Sequence, residues 1–107
     1  MPNLNKNEYG QTIYADLGQD VSTATAFNFI LEPQVGIKLE KSASDGVALG
    51  ASNITVDDTN LLANQYITYV IKEDDLSKSG LWRTKGEATL SATNKIVGDY
   101  KRITVLD

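Results

Sequence analysis

The feature that most restricts the fold is a run of alternating residues that begins at the only tryptophan, Trp82. Its even positions are mostly apolar and its odd positions are mostly charged or hydroxylated: Trp82, Thr84, Gly86, Ala88, Leu90 and Ala92 against Arg83, Lys85, Glu87, Thr89 and Ser91. Successive side chains of a β-strand point to opposite faces of the sheet, so a period of two predicts a long strand with one buried face.

Shorter runs of the same kind lie on both sides of it, separated by glycine, proline or acidic turns. They predict strands at residues 11–16, 25–32, 36–42, 65–72 and 96–106, with weaker candidates at 47–49 and 53–56. Residues 57–65 fit either one turn of helix or a loop. With 107 residues, no internal repeat and no linker-like segment, we expect one all-β domain, folded as an antiparallel β-sandwich of about seven strands. A small barrel is the alternative architecture.

The same alternation predicts which side chains face the core. The predicted inward set is Phe27, Phe29, Leu31, Ile37, Leu39, Ile67, Tyr69, Ile71, Ile103 and Val105. Between Ile37 and the end of that strand, we expect the charged side chains to remain in solvent, namely those of Lys38, Glu40 and Lys41.

Two residue types are missing from the sequence, and their absence narrows the function. There is no histidine and no cysteine, so the commonest general base, thiol catalysis, disulfides and thiolate zinc sites are all excluded. An activated nucleophile or a tuned carboxylate pair would have to come from the remaining residues, and no motif places one. We therefore expect no catalytic residues, no cofactor and no enzymatic activity.

Charge and hydropathy argue against two classes of partner. The formal net charge is −4, which disfavours binding to a nucleic acid backbone. The basic residues that concentrate in the C-terminal third are interpreted as a solvated face: Lys78, Arg83, Lys85, Lys95, Lys101 and Arg102. No apolar run approaches the roughly 20 residues of a membrane helix, and the first ten residues lack the apolar centre of a secretory signal. We expect neither nucleic acid nor membrane as a partner, and synthesis in a cytoplasm.

Trp82 follows an acidic turn and a glycine, which leaves two roles open. A lone exposed tryptophan could anchor a binding surface. Trp82 instead begins the apolar register of its own strand, so the sequence favours a buried role at the corner between two sheets. Gly80 would supply the backbone conformation that turns the chain there.

The segment D-x-x-x-x-G-x-W-x-T, from Asp75 to Thr84, resembles the E–F corner of immunoglobulin-like domains. In that corner an Asp precedes a small residue, an aromatic residue and the core position that carries cysteine in antibodies. Trp82 and Thr84 occupy the last two places here, so the chain departs from the antibody pattern and lacks its disulfide. The resemblance implies an immunoglobulin-like sandwich with a structural corner at Asp75, Gly80, Trp82 and Thr84.

A broader resemblance is to small immunoglobulin-like domains of tailed-phage structural proteins, including the N-terminal domain of baseplate upper proteins. The matching segments cover most of the chain, although each motif is short: residues 10–13, 26–33, 66–71, the corner, and 103–105. The resemblance implies a non-enzymatic virion protein, present in several copies, that binds other virion proteins of the capsid, neck, tail or baseplate. Its location would then be the virion, after synthesis in the host cytoplasm.

The first ten residues read as an extended polar arm ahead of a sandwich at 11–107. Such a segment is too polar to fold alone and could become ordered on a neighbouring subunit. Its candidate partner-binding residues are Asn3, Leu4, Asn5 and Tyr9.

Two further site hypotheses remain open. The turn carboxylates Asp57–Asp58 and Asp74–Asp75 could bind calcium, but neither pair fits a D-x-D-x-D-G loop, and we expect no metal there. Several tyrosines could form an aromatic platform for sugar rings, provided that they are exposed on one face: Tyr9, Tyr14, Tyr66 and Tyr100. A carbohydrate-binding or adhesive module is therefore the alternative to a virion protein.

Overall fold

The computed structural model describes residues 4–56 and 58–107. Within them lie eleven strands: β1 Leu4–Asn5, β2 Thr12–Asp16, β3 Ala26–Pro33, β4 Leu39–Lys41, β5 Ala48–Leu49, β6 Ile54–Val56, β7 Thr59–Leu61, β8 Tyr66–Val70, β9 Gly80–Ser91, β10 Asn94–Val97 and β11 Lys101–Leu106. The all-β prediction is confirmed. The strands outnumber the predicted seven because β1 and β7, of two and three residues, were not predicted. The single strand predicted at residues 96–106 is also wrong, since this segment divides into β10 and β11.

The larger sheet is built around β9, the strand predicted from the alternating run. Its strand order is β1-β11-β9-β3-β4, and β10 also pairs with β9. All its pairs are antiparallel except one, because β1 runs parallel to β11. The prediction of a purely antiparallel arrangement is therefore wrong at this edge, where β1 is too short to have been recognised as a strand.

The other strands form a smaller sheet and a hairpin. The smaller sheet has the order β2-β8-β5, and β6 pairs with β7. Of the two alternatives for residues 57–65, the helical turn is wrong for the described part of that segment, and the loop is interrupted by a strand at Thr59–Leu61; Asp57 lies outside the described residues.

The core lies where the two sheets face each other. It contains side chains from both sheets, among them Phe29 and Trp82 from the larger sheet and Ile67 and Tyr69 from the smaller one. The sheets come close together at Gly86, where a Cβ atom would lie 2.8 Å from Ile67 Cδ1 and 3.0 Å from the Ala15 Cβ atom. Glycine thus allows the long central strand to pack against the opposite sheet.

Most of the predicted inward set is confirmed, and so is the buried role of Trp82, which is 4% exposed. Ile37 is the exception, because it is 87% exposed. The strand begins only at Leu39. Ile37 therefore lies in the preceding loop, where alternation does not direct its side chain toward the core. Lys41 departs in the opposite direction, because its side chain is only 20% exposed and lies beside Asp75.

The described part of the N-terminal segment packs against its own domain. Leu4 pairs with Val105 and is only 5% exposed. Backbone hydrogen bonds continue the attachment, from Lys6 N to Leu106 O at 2.6 Å and from Asn7 N to Leu76 O at 2.8 Å. The prediction of an arm that extends away from the sandwich is therefore corrected for residues 4–10, since Leu4 supplies apolar cover that the polar composition concealed.

Replacing Trp82 with alanine should destabilise the domain by about 3–5 kcal/mol, because the change leaves a large cavity in the core. Urea unfolding followed by circular dichroism measures the loss. Leu81→Ala is the matched control on the same strand, since Leu81 is 51% exposed, and its effect should stay within about 0.5 kcal/mol. Equal losses in the two variants would contradict the buried role of the tryptophan.

Gly86→Ala should destabilise the domain by about 1–3 kcal/mol, because the new methyl group would overlap Ile67 and Ala15. Ile67→Val removes the Cδ1 atom that lies nearest. The double variant should therefore lose less free energy of unfolding than the sum of the two single variants. Simple additivity would show that the close approach does not limit this position.

Candidate functional site

Asp75 joins three parts of the fold at the predicted corner. Its carboxylate accepts hydrogen bonds from the Tyr69 hydroxyl and, at 2.8 Å, from Lys72 N. Lys41 Nζ lies 3.1 Å from its other oxygen. Because Lys41 belongs to the larger sheet and Tyr69 to the smaller one, the carboxylate links the two sheets across the edge of the core.

The remaining corner residues have structural roles as well. Gly80 has φ +115°, a conformation that favours glycine. Trp82 donates its Nε1–H to the carbonyl oxygen of Lys78 at 3.0 Å, which satisfies the only polar atom of a buried ring. Thr84 is 3% exposed. The structure thus brings Asp75, Gly80, Trp82 and Thr84 to one end of β9 and its preceding turn.

Burial and the hydrogen bond to Asp75 raise the pKa of Tyr69 well above its usual value. Removal of that proton would place a phenolate beside a carboxylate in the core, so the neutral hydroxyl is the form that the fold stabilises. The hydroxyl serves as a donor over the ordinary pH range and gives no sign of acting as a base.

A second feature is an apolar surface formed by the loop between β3 and β4 and by the adjoining β9. We call it the apolar loop surface: Val35 and Ile37 from the loop and Leu81 from β9. These side chains are 78%, 87% and 51% exposed. The loop is tied to β9 by a hydrogen bond from Gln34 N to Leu81 O at 2.8 Å. Beside it lies a cleft of about 550 Å³ whose walls include Leu81, Arg83 and Arg102. Sequence reasoning missed this surface because it placed Ile37 in the core.

The basic residues of the C-terminal third do not form one patch. Arg83 lies 2.5 Å from the Glu32 carboxylate, and Lys85 and Lys95 lie 4.0 and 3.4 Å from Glu87. The interpretation as a solvated face holds for Arg83 and Lys95, whose side chains are 54% and 51% exposed. It fails for Lys85, which is only 21% exposed; carboxylates on the same sheet balance the charge of all three. Within the described residues, Arg102 takes part in no ion pair.

A pocket of about 460 Å³ opens at the free edge of β2, and we call it the edge pocket. Its walls come from β2, from the β6–β7 hairpin and from residues 97–101 between β10 and β11. The last wall lies close to β2, because a Cβ atom on Gly98 would be only 2.6 Å from the Asp16 carbonyl oxygen. Gly98 N also donates to Gly86 O at 2.9 Å, which fixes the wall to the larger sheet.

The four tyrosines of the predicted platform are separated. Tyr14 and Tyr100 both line the edge pocket. Tyr66 is buried, lies 6.1 Å from the Tyr14 ring between centroids, and donates its hydroxyl to Ser52 O at 2.8 Å. Tyr9 is 59% exposed and does not line that pocket. Two of the four residues therefore lie together in a concave site, and the four do not form the flat platform that the alternative hypothesis required.

The acidic pairs show no metal geometry where they are described. Asp75 is used by its three partners, and Asp74, with φ +73°, is exposed in the turn. The described residues contain no group of three or more acidic, histidine or cysteine side chains placed to hold a metal ion. Asp57 lies outside the described residues.

Of the predicted arm residues, Leu4 is buried, whereas Asn5 and Tyr9 are exposed; Asn3 lies outside the described part of the chain. The side-chain amide (Nδ2) and the backbone N–H of Asn5 both donate to the Glu8 carboxylate at 3.1 Å. The arm's role in binding a partner stays a prediction.

Comparison of the chain with protein-family models, curated proteins and solved structures finds no match. In the part of the chain described by the structure, no helix has the length and apolar character needed to cross a bilayer.

The link between Tyr69 and Asp75 should make stability depend on pH in the alkaline range. A pKa that is raised in the folded state contributes stability below the unfolded value of about 10 and loses it as pH rises above that value. The free energy of unfolding should therefore fall above about pH 10, and the fall should be smaller in Tyr69→Phe. Parallel urea titrations across this range test the expectation, with Tyr9→Phe as the exposed control. The same alkaline slope in wild type and Tyr69→Phe would contradict it.

Proposed function

We propose that this chain is a non-enzymatic structural protein of a tailed-phage virion, whose immunoglobulin-like domain attaches to other virion proteins. The architecture supports the proposal, because two packed sheets whose strands pair mainly antiparallel are what an immunoglobulin-like domain requires. The corner supports it further, because Asp75 in the turn after β8 binds Tyr69 on that strand, and Trp82 then begins the inner face of β9. These are the residues that carry the resemblance to immunoglobulin-like domains of phage proteins.

The observation that carries the attachment role is the exposure of Val35 and Ile37. These two β-branched apolar side chains are 78% and 87% exposed on one loop, beside exposed Leu81. Covering them with another protein removes apolar surface from water, which lowers the free energy. A hydrogen bond between the loop and β9 presents them on a fixed support. Such a surface suits a permanent contact within a particle.

The charge beside the loop indicates the chemistry of the partner. Arg102 and Arg83 line the adjoining cleft, while Glu32 is the carboxylate that faces them there. We expect a virion protein that places apolar side chains on Val35 and Ile37 and a carboxylate near Arg102. Capsid decoration would use many copies of this contact, whereas a neck, tail or baseplate adaptor would use a ring of few copies.

The test is incorporation of the chain into density-purified virus particles from its source, quantified by mass spectrometry against the major capsid protein. The double variant Val35→Ser/Ile37→Ser should be depleted from particles at least tenfold, because it removes the apolar contact, while unfolding as a free protein like wild type. Val70→Ser is the matched control, since Val70 is 46% exposed on a different sheet, and it should be incorporated normally.

Absence of the chain from purified particles would overturn the virion proposal. Normal incorporation of the double variant would leave the protein in the particle but place the contact elsewhere. The measured copy number then distinguishes decoration of the capsid from a ring.

A further inference from the structure

The edge pocket is independent of the apolar loop surface and has the character of a small-molecule site. Its volume of about 460 Å³ falls within the roughly 300–1,000 Å³ typical of ligand pockets. No residue of the apolar loop surface lines it. A ligand there would be recognised separately from any protein bound at the β3–β4 loop.

One wall of the pocket is an open strand edge. β2 is the last strand of its sheet. Its odd-numbered residues make the hydrogen bonds to β8, as in the bonds from Ile71 N to Gln11 O and from Leu17 N to Gln65 O that flank the pairing. Backbone groups alternate in direction along an antiparallel strand. Those of Tyr14 and Asp16 therefore point to the free edge. Gly98 covers the Asp16 carbonyl there, so Tyr14 supplies the backbone donor and acceptor beside the pocket.

The side chains supply hydrogen-bonding groups of both kinds. Among the residues that line the pocket, Asp16 and Asp99 carry carboxylates, Lys101 carries an ammonium group, and Thr59 carries a hydroxyl. Asp16 already accepts a hydrogen bond from Gly18 N at 2.9 Å, which holds its side chain in place. Two carboxylates and one ammonium give these groups a charge of −1. The Arg83 and Lys85 cations beside Tyr100 are paired with Glu32 and Glu87, so the site disfavours phosphate or another anion and suits a neutral ligand rich in hydroxyls.

The aromatic part of the wall is held rigidly. The Arg83 guanidinium carbon lies 4.1 Å from the Tyr100 ring centroid, and Lys85 Nζ lies 4.5 Å from it. Cation–π contact on the ring orients it while leaving Tyr100 40% exposed. Tyr14 is likewise packed against Tyr66. Rings that are fixed before binding offer an apolar face at low entropic cost.

We propose that the edge pocket binds a neutral sugar, as a monosaccharide or the end of a glycan. One C–H face of the sugar ring packs on Tyr100 or Tyr14, and neighbouring hydroxyl groups donate to Asp16 and Asp99. Lys101 and the free backbone groups of β2 supply the complementary donors. The combination of a fixed aromatic face with paired carboxylates distinguishes a cyclic sugar from a simple polyol.

The experiment is a titration of the ¹⁵N-labelled chain, followed by amide chemical shifts, with methyl glycosides of glucose, galactose, N-acetylglucosamine and rhamnose. Glycerol serves as the open-chain control. At least one glycoside should shift the amides of residues 14–18 and 97–101 in a saturable manner, and glycerol should not. Asp99→Asn, a change of one exposed carboxylate, should weaken the affinity roughly tenfold.

Tyr100→Ala should abolish the shifts, and Tyr9→Ala should leave them unchanged because Tyr9 lies outside the pocket. Should Tyr100→Ala fail to fold, the Asp99→Asn titration decides by itself. The proposal is overturned if none of the glycosides shifts these amides, if glycerol shifts them equally, or if Asp99→Asn binds as tightly as wild type. Because the virion test uses a different surface, either proposal can fail while the other stands.

Discussion

The carboxylate of Asp75 is the contact on which the relation between the two sheets depends. A charged group that is 7% exposed is costly to bury unless it is paired and hydrogen-bonded. Here Lys41 comes from the edge of the larger sheet, Tyr69 from the centre of the smaller one, and the backbone of Lys72 from the turn between them. Tyr69 and Lys72 hold the carboxylate beside the smaller sheet, and Lys41 then joins it to the larger one, so the network stabilises this relative placement of the two sheets.

Sequence patterning predicted the elements in which alternation is long. In β9, β3 and β8 the alternation is long enough to identify the inner face from the sequence. The inner faces of these strands carry Trp82, Phe29 and Ile67, respectively. Patterning failed where the strand is short or absent. Ile37 matched the period but precedes the strand, and β1 is too brief to carry a period at all.

The candidate sites were less accessible to sequence reasoning, because they depend on contacts between distant segments. Lys41 was expected in solvent, since nothing near it in the chain indicates Asp75 as its partner. Tyr14 and Tyr100 were singled out as aromatic residues, but their shared pocket follows from how the β10–β11 connection crosses β2. The sequence did contain one indication of this close approach, the glycine at position 98. A side chain there would overlap the Asp16 carbonyl oxygen.

The parallel pairing of β1 with β11 has a consequence for the order of events during synthesis. Leu4 meets Val105, so this pair joins segments separated by nearly the whole chain. On the ribosome β1 has no partner until the last strand has emerged, and closure of so long a loop carries a large entropic cost. The nascent domain therefore passes through a stage in which Leu4 and the edge of β11 are uncovered, the kind of exposed strand edge on which chaperones act and aggregation begins.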